Sequence, residues 1–97
     1  MSIQPEELPL HLRTIETSQG AWLVDVRSVA ETQTGDALLL KVILETCIDE
    51  DGERIRTRNL EMSVLAAKLN DPDLFAGVVS NIRHWIETTD GEGFLEA

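Results

Sequence analysis

The chain has 97 residues, 18 of them acidic and 8 basic, which gives a formal net charge of −10. Such an excess repels the phosphate backbone of nucleic acid and the anionic face of a membrane, and it attracts cations or a partner with a basic face. Hydrophobic residues make up 42%, enough for one folded domain over 1–97, and the single cysteine, Cys47, excludes an internal disulfide and fits a reducing, cytoplasmic setting.

Residues 1–20 are weakly specified. Pro5 and Pro9 break any long helix, Gly20 closes the segment, and Leu8, Leu12 and Ile15 share one face of a short helix over about Leu8–Glu16. Residues 1–12 have neither a basic start nor an apolar run, so no secretory signal is expected there. The apolar stretch near Leu38 is broken by Lys41, well short of a membrane span. From Trp22 the period becomes two: Trp22, Val24 and Val26 alternate with Leu23, Asp25 and Arg27, a half-buried strand reaching about Val29. Thr32–Asp36 is a polar turn with Gly35 available for positive φ. A second strand follows over Leu38–Ile48, with Leu38, Leu40, Val42 and Leu44 on one face and Lys41 and Glu45 on the other.

Asp49-Glu50-Asp51-Gly52 has the grammar of a type I turn, and Glu53–Leu60 forms the third strand. Pairing Asp49 with Gly52 places Glu45 opposite Arg56 and Cys47 opposite Arg54, and opposite charges across strands support that register by a few tenths of a kcal/mol. Ser63 caps a short helix over Val64–Leu69. Asp71-Pro72-Asp73 starts a longer one over 72–88, with Leu74, Phe75, Val78, Val79, Ile82, Trp85 and Ile86 at helical spacing. The tail, 89–97, frays or tucks in Phe94. The expected fold is α+β: a small three-stranded antiparallel meander over 22–60 packed against a C-terminal helix. Its expected core is Trp22, Leu38, Leu40, Val42, Phe75, Val79, Ile82 and Trp85.

No nucleophile–base set, no Cys/His metal spacing and no glycine-rich phosphate loop occurs, so the chain reads as a non-enzyme. The densest chemistry is Asp49, Glu50, Asp51 and Glu53, four carboxylates around Gly52. The spacing matches the middle of an EF-hand loop, but its first position would be Cys47 and its twelfth Arg58, neither an oxygen ligand for calcium. A looser calcium site is still open, because the ion accepts about six to eight oxygens from any convergent loops. Asp90, Glu92 and Glu96, flexed by Gly91 and Gly93, are the acids available to complete it. The bland alternative is a solvated acidic turn that keeps a sheet edge soluble. Arg54, Arg56 and Arg58 stripe one face of the third strand and are expected to pair internally with Glu45. His11 and His84 are isolated, and Cys47 has no histidine near it in sequence, so none of them suggests a ligand set.

In size, acidity and element order the whole chain resembles the small acidic calcium-binding protein described in heterocyst-forming cyanobacteria; no diagnostic motif carries the likeness, and the nearest thing to one is Asp49-Glu50-Asp51-Gly52-Glu53. The resemblance implies cytosolic calcium binding without EF-hands. Two functions therefore stand side by side. One is a calcium buffer or sensor using Asp49, Glu50, Asp51, Glu53, Asp90 and Glu92. The other is an acidic interaction module for a basic protein partner: an inhibitor, a chaperone or a nucleic-acid mimic. A calcium site needs carboxylates converging on one point, whereas an interaction module spreads its charge along a face.

Overall fold

The computed structural model describes residues 3–18, 20–46, 56–89 and 91–97. A 3-10 turn at Pro5–Glu7 is followed by β1 (Thr14–Thr17), β2 (Gly20–Glu31), β3 (Ala37–Thr46) and β4 (Thr57–Leu65). Two helices, α1 (Ala66–Asn70) and α2 (Pro72–Thr88), lead to β5 (Gly93–Glu96). The chain is α+β, but the sheet has five strands in sequential order rather than three. Neighbours from β1 to β4 are antiparallel, and β5 lies parallel to β4 after the helical crossover. The two unexpected strands are four residues each and lie at the sheet's edges. A four-residue segment is too short for a period of two to declare itself in sequence.

One face of the sheet is apolar. Trp22, Val24 and Val26 of β2, four alternating residues of β3 from Leu38 to Leu44, and Leu60, Met62 and Val64 of β4 are all buried. The helical layer meets them through Val78, Val79, Ile82, Trp85 and Ile86. Every expected core residue is buried except Phe75, which is half-buried beneath the Arg13 guanidinium, 5.1 Å from its ring centroid. Leu74, on the expected stripe, is exposed. The start of α2 follows its sequence grammar: the Asp71 carboxylate accepts from the amides of Asp73 and Leu74 at 2.9 and 3.4 Å, with Pro72 in the first turn.

The β3–β4 register differs by one residue from the expected one. Leu40 pairs with Met62, Val42 with Leu60, Leu44 with Arg58 and Glu45 with Thr57, while Arg56 bonds Thr46. A one-residue slip exchanges the two faces of a strand, so the expected register would set Val42 against Asn59 and put half the apolar residues in water. Matching the apolar faces outweighs a tight turn and a surface ion pair. The expected Cys47–Arg54 pairing and the Asp49–Gly52 turn lie outside the described residues.

β4 also runs five residues past its expected end, because Met62 and Val64 continue the alternation begun at Leu60. Ser63 is therefore mid-strand, and the following helix begins at Ala66. The helix expected over Leu8–Glu16 is absent. Leu8 and Leu10 turn into the core, Leu12 stands at φ 61, and Thr14–Thr17 pair with β2 as an extended strand instead. The tail is β5 rather than frayed, and its register sets Gly93 opposite Leu60, Phe94 opposite Glu61 and Leu95 opposite Met62. Phe94 thus shares the side of Glu61, away from the helices, and the close approach at the core side is Gly93 against the Trp85 ring.

Candidate functional site

Of the six sequence-predicted calcium ligands, Asp49, Glu50, Asp51, Glu53 and Asp90 lie outside the described residues. Glu92 is described, and its carboxylate accepts from the Asn59 amide at 2.7 Å. Among the described residues no group of three or more His, Cys, Asp or Glu side chains is arranged to hold a metal ion. His84 lies exposed on α2. His11 serves the fold instead. Its Nδ1 accepts the Val26 amide at 3.1 Å, beside the irregularity between Val26 and Ser28 where β2 changes register against β3.

Arg58 departs furthest from its expected role. Its position opposite Leu44 turns it toward the helical layer, away from the surface stripe expected for it. There the guanidinium stacks over Trp85 at 4.5 Å and lies 5.8 Å from Trp22. It donates to the carbonyls of Ile86 and Gly91, each at 3.1 Å, and to that of Thr89. These carbonyls lie in and just beyond the last turn of α2, where the helix presents unpaired acceptors and the negative end of its dipole. Arg58 therefore fastens the end of α2 and the approach to β5 to β4.

Among the described residues no helix lies on the other face of the sheet. Leu39, Leu65 and Phe94 project from it, exposed by 46, 48 and 59%. They are three of the five large hydrophobic residues exposed among the described residues. Asp25, Glu45, Glu61 and Glu96 share this side with the cations Lys41 and Arg27, and Arg27 is bound to Asp25 at 3.1 Å. A shallow hollow of about 350 Å³ opens among Arg27, Lys41, Ile43, Asn59, Glu61 and Glu92.

No protein-family model, no curated protein and no solved structure matches this chain. Function must therefore be argued from the surface itself.

The two edges of the sheet are finished differently. At β1, the Arg83 guanidinium of α2 donates to the Glu16 carbonyl at 2.9 Å, and the Ser18 amide donates to the Glu87 carboxylate at 3.3 Å. Hydrogen bonds from Ser18, its side chain first and its amide second, hold the Glu87 carboxyl below its ordinary value, with Arg83 and His84 adding to the effect. At β5, the bond from the Ala97 amide to the Ser63 carbonyl, 2.8 Å, sets the phase of the ladder. In a parallel pair alternate residues turn their backbone groups to the neighbour, so Gly93, Leu95 and Ala97 face β4 while Phe94 and Glu96 face outward.

Sequence reasoning missed this surface. Leu39 carried a signal, since it breaks the alternation of β3 by placing a leucine among the outward positions. Phe94 and Leu65 carried none, because neither β5 nor the end of β4 was expected as strand.

Proposed function

We propose that this chain is a non-enzymatic acidic binding module, which takes a protein partner of mixed apolar and basic character on its uncovered sheet face. The observation that carries this reading is the placement of exposed Leu39, Leu65 and Phe94 on one face together with Glu61 and Glu96. Exposed apolar groups that share one face, with charged residues between and around them, fit an association surface. The three long strands and two short ones project roughly 500–600 Å². That is the same order as the roughly 800 Å² of accessible surface one partner contributes to a specific interface. The net charge of −10 steers a basic partner toward it and disfavours an acidic one.

The test uses a peptide of alternating lysine and valine titrated into the labelled protein at physiological salt, followed by amide chemical shifts. Shifts are expected on β3, β4 and β5, with at least a tenfold loss of affinity on combining Leu39→Ser and Leu65→Ser. Binding that is indifferent to that pair, or that maps to α2, refutes the reading.

A second reading, calcium binding by Asp49, Glu50, Asp51, Glu53, Asp90 and Glu92, is favoured by one observation. Arg58 draws Thr89 and Gly91, which flank Asp90 in sequence, to the end of β4 that residues 49–53 precede in the chain. Calorimetric titration with calcium in excess magnesium separates the two. A saturable signal lost in Asp49→Asn with Asp51→Asn supports calcium, and heat that tracks only ionic strength argues against it.

A further inference from the structure

β5 differs from β1 in a way the uncovered face alone does not explain. Both are four-residue edge strands, and an open edge is a template for pairing with another chain. At β1 the helix supplies side chains that occupy the outward backbone: Arg83 on the Glu16 carbonyl, and Glu87 on the Ser18 amide just past the strand's end. At β5 the outward N–H and C=O groups belong to Phe94 and Glu96, and among the described residues no side chain bonds them. Phe94 is the most exposed aromatic there, at 59%. The strand and its approach carry Glu92 and Glu96, with Glu61 on the neighbouring strand and no cation in 92–97.

We infer that the outer edge of β5 takes an extended, basic segment of a partner protein as a sixth strand. The inference rests on the proposed binding role of the uncovered face and supplies its mode. Backbone bonds to Phe94 and Glu96 give the affinity of strand addition, and alternate side chains give its specificity. On the uncovered face an added strand places every second side chain beside Phe94 or Glu96. The partner that fits therefore carries an apolar residue and a lysine or arginine two positions apart. The acids of this edge exclude an acidic segment, and a second copy of this chain, itself at −10, is disfavoured on the same ground.

The edge can be separated from the face by reading Glu96→Pro against Glu96→Gln, which loses the same carboxylate but keeps its N–H. Glu96→Pro deletes an outward N–H but leaves the bonds to β4, which come from Leu95 and Ala97, in place. The probe is a capped peptide of the repeat Val-Thr-Lys-Thr, which sets valine and lysine two positions apart on one face, together with its analogue N-methylated at four consecutive central residues so that neither edge keeps its donors there. Strand addition predicts that the parent peptide slows exchange of the Phe94 and Glu96 amides. It also predicts at least a tenfold weaker affinity for the N-methylated peptide, and for Glu96→Pro relative to Glu96→Gln with the parent peptide. If Glu96→Pro does not fold, the pair of peptides against the unaltered protein decides alone. Equal affinity for both peptides overturns strand addition, and in that case continued sensitivity to Leu39→Ser with Leu65→Ser leaves the face reading standing. Protection of the Phe94 and Glu96 amides by self-association without peptide, seen as a dimer in sedimentation, assigns the edge to a second copy and overturns the basic-segment inference.

Discussion

Removing Arg58 tests whether the junction of β4, α2 and β5 is held by one side chain. Arg58→Ala deletes charge-assisted bonds to the Ile86, Thr89 and Gly91 carbonyls and the stacking on Trp85. A bond from a charged donor contributes about 1.5–3 kcal/mol, but carbonyls at a helix end recover water when released, so about 1 kcal/mol each is the reasonable share. The ring contact adds about 1 kcal/mol. The expected loss is therefore about 3–4 kcal/mol, which in a domain of this size lowers Tm by roughly 15–25 °C. Urea unfolding followed by tryptophan fluorescence is well placed to read it, because Trp22 and Trp85 are the only tryptophans in the chain and both lie beside the guanidinium. Circular dichroism in parallel establishes that the loss is global. Arg58→Met, which keeps most of the stem but none of the donors, should recover less than half of it. A destabilisation under about 1 kcal/mol for Arg58→Ala would show that the junction holds without this residue.

Two glycines should respond in opposite directions. Gly93→Ala brings a Cβ to 3.2 Å from the Trp85 ring, which Arg58 and the core hold in place, so a loss of about 1–2 kcal/mol is expected in urea. Gly77→Ala, on the exposed side of α2 with nothing within 4 Å of the new Cβ, should gain about 0.5–1 kcal/mol. The same sign for both would contradict the packing described. Because Ser18 lowers the Glu87 pKa, that tether is complete above the ordinary carboxylate range and is lost as pH falls through the lowered value. Glu87→Gln should accordingly flatten the acid side of the pH–stability curve, and superimposable acid limbs would refute the contribution. The Asp25–Arg27 ion pair leaves the net charge at −10. Raising monovalent salt from low to several hundred millimolar should therefore raise Tm, and an unchanged Tm would mean the charge is already compensated.

The parts of the fold that sequence made legible are those where many residues vote together. Alternation over Trp22–Val26 and Leu38–Leu44, and the cap-and-stripe pattern from Asp71 to Ile86, identify the central strands and α2 without ambiguity. Register is a different kind of information. The acidic turn and the Glu45–Arg56 charge pair both favoured one alignment, yet each is weak beside the burial of Leu60, Met62 and Val64 against β3, which could have been read from the same sequence. Arg58 followed the register: once slipped by one residue, a surface cation became an inward one. The edge strands were not legible, because each is defined by a pairing partner rather than by its own pattern. The exposed face depends on them, since Phe94 joins Leu39 and Leu65 only after β5 has a register. For the candidate ligands, Glu92 alone is placed, against Asn59.

The parallel seating of β5 also orders the assembly of the chain in time. Strands β1 to β4 pair with their neighbours in sequence, contacts that form early because little chain must be closed. β5 can pair with β4 only after the intervening residues, 66 to 92, have folded back over the sheet and α2 has docked. It is then the final strand to zip, with four residues and one neighbour to retain it, and hydrogen exchange should find its amides opening at lower free energy than those of β3. A ligand seated on its outer edge would give β5 a second neighbour, so occupancy would be registered as kinetic protection of the last segment to fold.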